Sequence, residues 1–222
     1  AGLLQGLERR AEAVVETFNA QNVVNLLWAY AMMKRLPGAV LMRGLEKQAE
    51  ALLGTFISQE VSNTLWAYAM MGREPGAGLL QGLEGRAEAI VGTYGSQDVA
   101  NTLWAFATMG REPGVGLLRG LEEHAEVIVG TFKGLEVSNT LWAYATMQRA
   151  PEAGLLRGLE ARALALVETL QAQSVANILW AYAAMGRDIS RPASLPGAEL
   201  MLGLEVRGGG SCRGVECAKR VH

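Results

Sequence analysis

The segment Asn-x-Leu-Trp-Ala-x-Ala-x-Met-x-Arg occurs five times, at Asn25 to Arg35, Asn63 to Arg73, Asn101 to Arg111, Asn139 to Arg149 and Asn177 to Arg187. Each copy begins 38 residues after the one before. A fixed period of this length makes a chain a stack of like supersecondary units, each burying its apolar face against its neighbours. A length of 222 residues would otherwise suggest one or two globular domains. The period overrides that prior and predicts one continuous core.

Residues 75–113 serve as the type unit. Pro75-Gly76 is a turn. Leu79, Leu80, Leu83, Ala87, Ile90 and Val91 recur at helical spacing, which predicts helix A over Ala77 to Tyr94, about five turns long. Gly95-Ser96 interrupts the pattern, with Ser96 as the expected N-cap of helix B. Asp98 then suits the positive end of the helix dipole. Helix B carries Val99, Leu103, Phe106 and Ala107 on one face, and Gly110 and Pro113 end it. The predicted fold is all-α: an α-α superhelix, or solenoid, of about five 38-residue helical hairpins plus a partial sixth.

All 14 aromatic residues fall in three columns of the repeat. Trp28, Trp66, Trp104, Trp142 and Trp180 form one. Tyr30, Tyr68, Phe106, Tyr144 and Tyr182 form the second, and Phe18, Phe56, Tyr94 and Phe132 the third, completed by Leu170. The columns read first as inter-repeat core. The Trp column lies at the edge of the apolar face, so a second reading, base stacking, stays open for it. Gly6, Gly44, Gly82, Gly120 and Gly158 sit inside helix A, where Gly costs about 1 kcal/mol relative to Ala. Close approach between units is the expected compensation, and Ala29, Ala67, Ala105, Ala143 and Ala181 imply the same on helix B.

Nothing in the pattern supports an enzyme. No phosphate-cradling loop joins a strand to a helix, because no strands are predicted. His124 and His222 share no ligand spacing, and His124 occupies a helix-surface column held elsewhere by Arg10, Gln48, Arg86 and Arg162. Cys212 and Cys217 lack the further partners that zinc requires. The column Thr17, Thr55, Thr93, Thr131 and Thr169 is expected to bond backbone carbonyls at the end of helix A. The expectation is therefore a non-enzymatic protein with no cofactor, no metal, no small-molecule substrate and no membrane span. A net charge of −2 argues weakly against a strong non-specific grip on nucleic acid.

Three polar columns remain. Asn25, Asn63, Asn101, Asn139 and Asn177 face away from the core, on the side shared with Gln59 and Gln97. They are either a structural ladder or a row of amides that reads a base edge or a peptide backbone. Arg35, Arg73, Arg111, Arg149 and Arg187 end helix B, where they complement the dipole or form a stripe of phosphate contacts. Glu8, Glu46, Glu84, Glu122 and Glu160 are expected to be solvated. Against this fixed frame, three helix B positions vary: Asn22/Glu60/Asp98/Glu136/Ser174, Val24/Ser62/Ala100/Ser138/Ala176, and Met32/Met70/Thr108/Thr146/Ala184. A constant frame with a few variable positions is what a one-unit-per-base reader needs.

The rhythm breaks after Arg187. The expected organisation is a five-repeat solenoid over 1–187, an irregular insertion over 188–197, helix A of a sixth repeat over 198–207 and a flexible tail over 208–222. The chain opens inside a repeat, which reads as a piece of a longer protein.

The spacing Pro-x-x-x-Leu-Leu followed by Val-Ala-Asn-x-Leu-Trp-Ala-x-Ala-x-Met-Gly, clearest at Ser96 to Ala107, resembles the octotricopeptide repeat family. Wider relatives are the FAST-kinase-like and RNA-editing-substrate-binding proteins of organellar RNA metabolism. The resemblance implies an α-superhelix that binds single-stranded RNA in a mitochondrion or chloroplast, with other proteins of an RNA-processing complex as further partners. It would act on transcript stability, processing or translation. The competing expectation is an armadillo-like scaffold whose Asn and Trp columns grip an extended peptide.

Overall fold

The structure is a computed structural model and describes residues 2–188. Five helical hairpins follow one another. The A helices are α1 (Leu3–Val14), α3 (Ala39–Leu52), α5 (Ala77–Ile90), α7 (Val115–Ile128) and α9 (Ala153–Leu166). The B helices are α2 (Ala20–Met32), α4 (Ser58–Met70), α6 (Ser96–Thr108), α8 (Gly134–Thr146) and α10 (Ala172–Asp188). Like packs on like along the array, A on A and B on B, which makes a two-layered α-α superhelix. The insertion, sixth repeat and tail expected beyond 188 lie outside the described residues.

The repeated apolar positions supply one uninterrupted core. Leu79, Leu83, Val99, Leu103 and Phe106 of unit 3 are completely buried, as are Leu41, Leu45, Val61, Leu65 and Tyr68 of unit 2. Each such side chain contributes about 1.5–3 kcal/mol relative to an exposed position. The B layer is the denser one. Its closeness follows from Ala67, Ala105, Ala143 and Ala181, all fully buried where adjacent B helices meet.

Helix A ends differently from the expected run to Tyr94. The α-helix stops at Ile90, and Val91–Thr93 form a 3₁₀ turn. Tightening the last turn satisfies carbonyls that an α-helix end would leave open. Thr93 donates to Ile90 O at 2.8 Å and Tyr94 N–H to Val91 O at 3.0 Å. Tyr94 is already extended, which turns its ring into the core. Thr17, Thr55, Thr131 and Thr169 repeat the hydroxyl-to-carbonyl bond at 2.7–2.9 Å, as the sequence predicts.

The start of helix B also departs from expectation. Ser96 is the first helical residue, and the N-cap is Gly95. Asp98 accepts the Gly95 N–H at 3.1 Å; Glu60 accepts from Ile57 at 2.9 Å and Glu136 from Lys133 at 2.8 Å. In unit 1, Asn19 and Asn22 bond each other's backbone reciprocally. The variable column Asn22/Glu60/Asp98/Glu136 is thus a capping column, half of a capping box reaching back from the third helical position.

Helix B closes as predicted. Gly72 and Gly110 adopt φ of 67° and 71°. The N–H of Arg73 and Arg111 then reaches back to the carbonyls of Tyr68 and Phe106 at 3.2 and 3.0 Å, the six-to-one bond of a Schellman motif. Lys34 and Gln148 occupy the same left-handed position at φ of 53° and 57°.

The inner glycines lie against the preceding unit. A Cβ on Gly44 would stand 3.0 Å from Val15 Cγ1, one on Gly120 3.3 Å from Val91 Cγ1, and one on Gly158 3.1 Å from Val129 Cγ1; one on Gly82 would overlap Leu53. Gly6 has no preceding unit among the described residues and nothing near it.

Candidate nucleic-acid interface

Each internal B helix has neighbours on both sides, which leaves one narrow stripe open. In unit 2 the residues at helical spacing on that stripe are Gln59, Asn63, Trp66 and Met70. Gln59 is exposed and the other three are half-buried. Ser62 on one side and Ala67 on the other are fully buried against the adjacent B helices. The equivalent stripes are Gln97-Asn101-Trp104-Thr108 and Leu135-Asn139-Trp142-Thr146. Stacked side by side, they form one surface on the B layer.

The Asn side chains on this surface are largely uncommitted. Asn63, Asn101 and Asn139 are half-buried and make no side-chain hydrogen bond among the described residues. Asn25 is exposed. Asn177 differs: it is 4% exposed and its Oδ1 accepts from Gln173 Nε2 at 2.9 Å. A half-buried amide without a partner carries a donor and an acceptor that a ligand can satisfy. The structural-ladder reading, with Asn bonded to a neighbouring helix or loop, holds for none of the three central units. Gln21 and Gln173 share the column of Gln59 and Gln97.

The Trp column runs through the middle of the surface. Indole centroids of Trp66, Trp104, Trp142 and Trp180 are 6.3–6.4 Å apart, tilted by 31–33°. The rings contact each other and pack, partly buried, against the core beneath. That spacing leaves no room for a base between rings, which closes the stacking option in the central units. Trp28, at the open end, is 46% exposed.

The Arg column is present at the C-terminal edge of the B layer, but the charges of Arg73, Arg111 and Arg149 are answered. Arg111 pairs with Glu74 at 2.8 Å and Arg149 with Glu112 at 2.9 Å, each Glu belonging to the preceding unit. Arg73 reaches Glu46 at 3.4 Å and lies over the Tyr68 ring. The Arg111–Glu74 and Arg149–Glu112 pairs are partly solvent-exposed, and such pairs contribute roughly 0–1 kcal/mol each. The guanidinium groups can therefore exchange a carboxylate for another anion at small cost. The side chain of Arg187 lies outside the described set.

The Glu column is not solvated, contrary to expectation. Glu122 is 6% exposed; its Oε1 accepts the Tyr144 hydroxyl at 3.0 Å and the Glu152 N–H at 3.3 Å. Glu46 accepts from Tyr68 at 3.1 Å and Glu160 from Tyr182 at 3.3 Å. Glu8 and Glu84 accept the N–H of Gly38 and Gly114. Glu8, Glu84 and Glu122 thus tie their hairpins to the start of the next A helix, where a negative charge is favourable, while Glu46 and Glu160 bond the tyrosine of their own hairpin. Burial pushes the Glu122 carboxyl up, against the opposing pull of the Tyr144 hydroxyl, the Glu152 N–H and Arg149. Burial first and the Glu charge second push the hydroxyls of Tyr68, Tyr144 and Tyr182 up as well.

His124 is likewise more than a surface residue. Its Nε2 lies 2.8 Å from Tyr94 O. Gln48, Arg86 and Arg162 donate to the carbonyls of Phe18, Phe56 and Phe132 at 2.7–2.8 Å. This column stitches α3, α5, α7 and α9 each to the unit before it. Of the variable columns, Ser62 and Ser138 are buried, bonding Asp98 and Ser174 of the next unit. Only Met32/Met70/Thr108/Thr146/Ala184 stays on the open stripe.

Among the described residues no group of three or more His, Cys, Asp or Glu could hold a metal ion, and no helix is long and apolar enough to cross a membrane. Cys212 and Cys217 lie outside the described residues.

A protein-family model described as RNA-editing substrate-binding complex 6 protein matches residues 2–189. The chain belongs to this family. The match spans all five hairpins and supports the RNA-editing side of the resemblance carried by the repeat motif. Among curated proteins none matches. Membership in this family points to a role in an RNA-editing complex and RNA metabolism.

Proposed function

We propose that this array is a non-enzymatic, sequence-selective single-stranded RNA-binding protein of organellar RNA metabolism, in a mitochondrion or chloroplast. The observation that carries the reading is the row of unpartnered amides Asn63, Asn101 and Asn139, one per unit, on a surface braced by the Trp column. An amide can satisfy a donor–acceptor pair on a base edge. The constant Trp and Ala positions keep successive amides in register. Gln59 and Gln97 extend the same stripe, and Arg35, Arg73, Arg111 and Arg149 lie at its edge as phosphate contacts, with Arg187 the equivalent residue of unit 5. The family description supports RNA over a peptide as the occupant.

The test is fluorescence anisotropy of the protein against a randomised single-stranded RNA pool at low and moderate salt. Binding is expected to weaken with salt, with a log–log slope of about −0.7 per phosphate contacted. It is expected to be lost when Asn63, Asn101 and Asn139 become Ala together. A folded, helical protein that binds no RNA at low salt would refute the proposal and leave the peptide-scaffold reading.

A further inference from the structure

The open stripe separates positions that can discriminate from positions that cannot. The capping column Asn22/Glu60/Asp98/Glu136 is engaged with backbone N–H groups. Ser62 and Ser138 are fully buried between B helices. Asn and Trp do not vary. Two stripe positions differ between units: the first, which is Gln except for Leu135 in unit 4, and the residue seven positions after Asn, one stripe position beyond Trp. The latter is Met32 and Met70 in units 1 and 2, Thr108 and Thr146 in units 3 and 4, and Ala184 in unit 5.

The two threonines differ from Thr64, Thr102 and Thr140 of the same helices in lying on the open stripe; those three are fully buried, and the hydroxyls of Thr102 and Thr140 are also without a partner. A mid-helix Thr hydroxyl commonly bonds the carbonyl four residues back, as Thr64 does with Glu60 O at 2.7 Å. Thr108 and Thr146 make no such bond, and Thr146 Oγ1 is a buried atom with no partner at all. Trp142 Nε1, on the same stripe, is also buried and unpartnered. Thr146 lines a shallow cleft of about 280 Å³ between units 3 and 4, beside Arg111 and Gly110. Unit 5 offers the reverse: Ala184 has no polar atom, and Gln173 occupies the Asn177 acceptor.

Resting on the RNA-binding reading above, we infer that units 3 and 4 are the selective centre of the array. Asn101 with Thr108, and Asn139 with Thr146, form two adjacent subsites, each pairing an amide with a threonine hydroxyl for the edge of one base; Thr108 is exposed, and the Thr146 hydroxyl reaches the base by rotation about χ1. Units 1 and 2 offer amide and thioether and accept bases with less discrimination. Unit 5 contributes little selectivity. The ligand class is a single strand in which two neighbouring nucleotides are specified by polar edge contacts.

The experiment is selection from a randomised single-stranded RNA pool followed by sequencing, with wild type, Thr108→Val, Thr146→Val and Ser62→Ala. Valine keeps the shape and removes the hydroxyl; circular dichroism checks that each variant is helical. Wild type is expected to enrich two adjacent fixed positions. Each Thr→Val variant is expected to lower discrimination at one of them by roughly threefold to tenfold, the worth of one net hydrogen bond. Ser62→Ala is expected to leave the profile unchanged, and Met70→Thr to add discrimination at a third neighbouring position. RNA binding with profiles unaltered by the Thr→Val changes would overturn the inference while sparing the RNA reading. Absence of RNA binding by wild type would overturn both.

Discussion

Replacing Gly158 with Ala places a methyl group between units 4 and 5, and the structure sets its cost. In a free helix the change gains about 1 kcal/mol. Here the new Cβ would meet Val129 Cγ1 at 3.1 Å, Cγ2 at 3.3 Å and Cβ at 3.5 Å. Valine is stiff about χ1, and both of its methyls face the glycine, so rotation exchanges one contact for another. Overpacking of this kind costs about 1–3 kcal/mol. Gly85, also inside an A helix, is exposed with nothing within 4 Å of an added Cβ. Gly85→Ala therefore keeps the whole propensity gain. The difference between the two substitutions cancels propensity and leaves the contact alone, about 1–3 kcal/mol. Urea unfolding followed by circular dichroism measures both. Gly82→Ala should fall between them, because Leu53 meets it with the end of a flexible side chain. Val129→Ala in the Gly158→Ala background should recover part of the loss as a favourable coupling term. Gly158→Ala that stabilises the protein as much as Gly85→Ala would refute the claim that close approach between units is what keeps glycine in this column.

Lys34→Gly and Gln148→Gly should each stabilise the fold by about 1 kcal/mol, because both residues sit in the left-handed region; thermal unfolding reads this as a rise of about 2–4 °C. Phe106 is the unit without a phenol opposite its Glu, so Phe106→Tyr is expected to add a hydrogen bond to Glu84 and about 0.5–1.5 kcal/mol. Burial raises the Glu122 carboxyl, so folding favours its protonated form. Its contribution is fully present below the ordinary value of 4.5 and is lost as pH rises through the raised value. Unfolding measured across this window should show a slope that Glu122→Gln flattens, since the amide oxygen still accepts from Tyr144 and Glu152. Glu74→Gln and Glu112→Gln release Arg111 and Arg149 from their ion pairs and should tighten RNA binding at low salt; unchanged or weaker anisotropy titrations would count against phosphate contacts at this column.

Much of the architecture is legible from residues alone. The 38-residue period, the hairpin, the aromatic core, the glycine approach and the threonine bonds all follow from patterns within one unit or from exact repetition between units. A helical wheel assigns each position a face relative to its own hairpin, and that is enough for Leu79, Leu83, Phe106 or Thr93. It is not enough for polar columns, because in a solenoid every helix has a second and a third neighbour. Glu122 lies on the polar side of α7, yet the start of α9 lands on it and makes it a clamp. Arg111 points off the end of α6, yet the superhelical rise brings Glu74 beside it. Ser62 and Asn63 are adjacent in sequence and both read as polar; packing buries the first between B helices and leaves the second open with its amide unpaired. Sequence by itself determined which residues repeat and what each helix hides from water within its hairpin. Only the tertiary stacking, through contacts 30 to 37 residues apart, decided which repeated polar groups bind the array together and which remain free to meet a ligand.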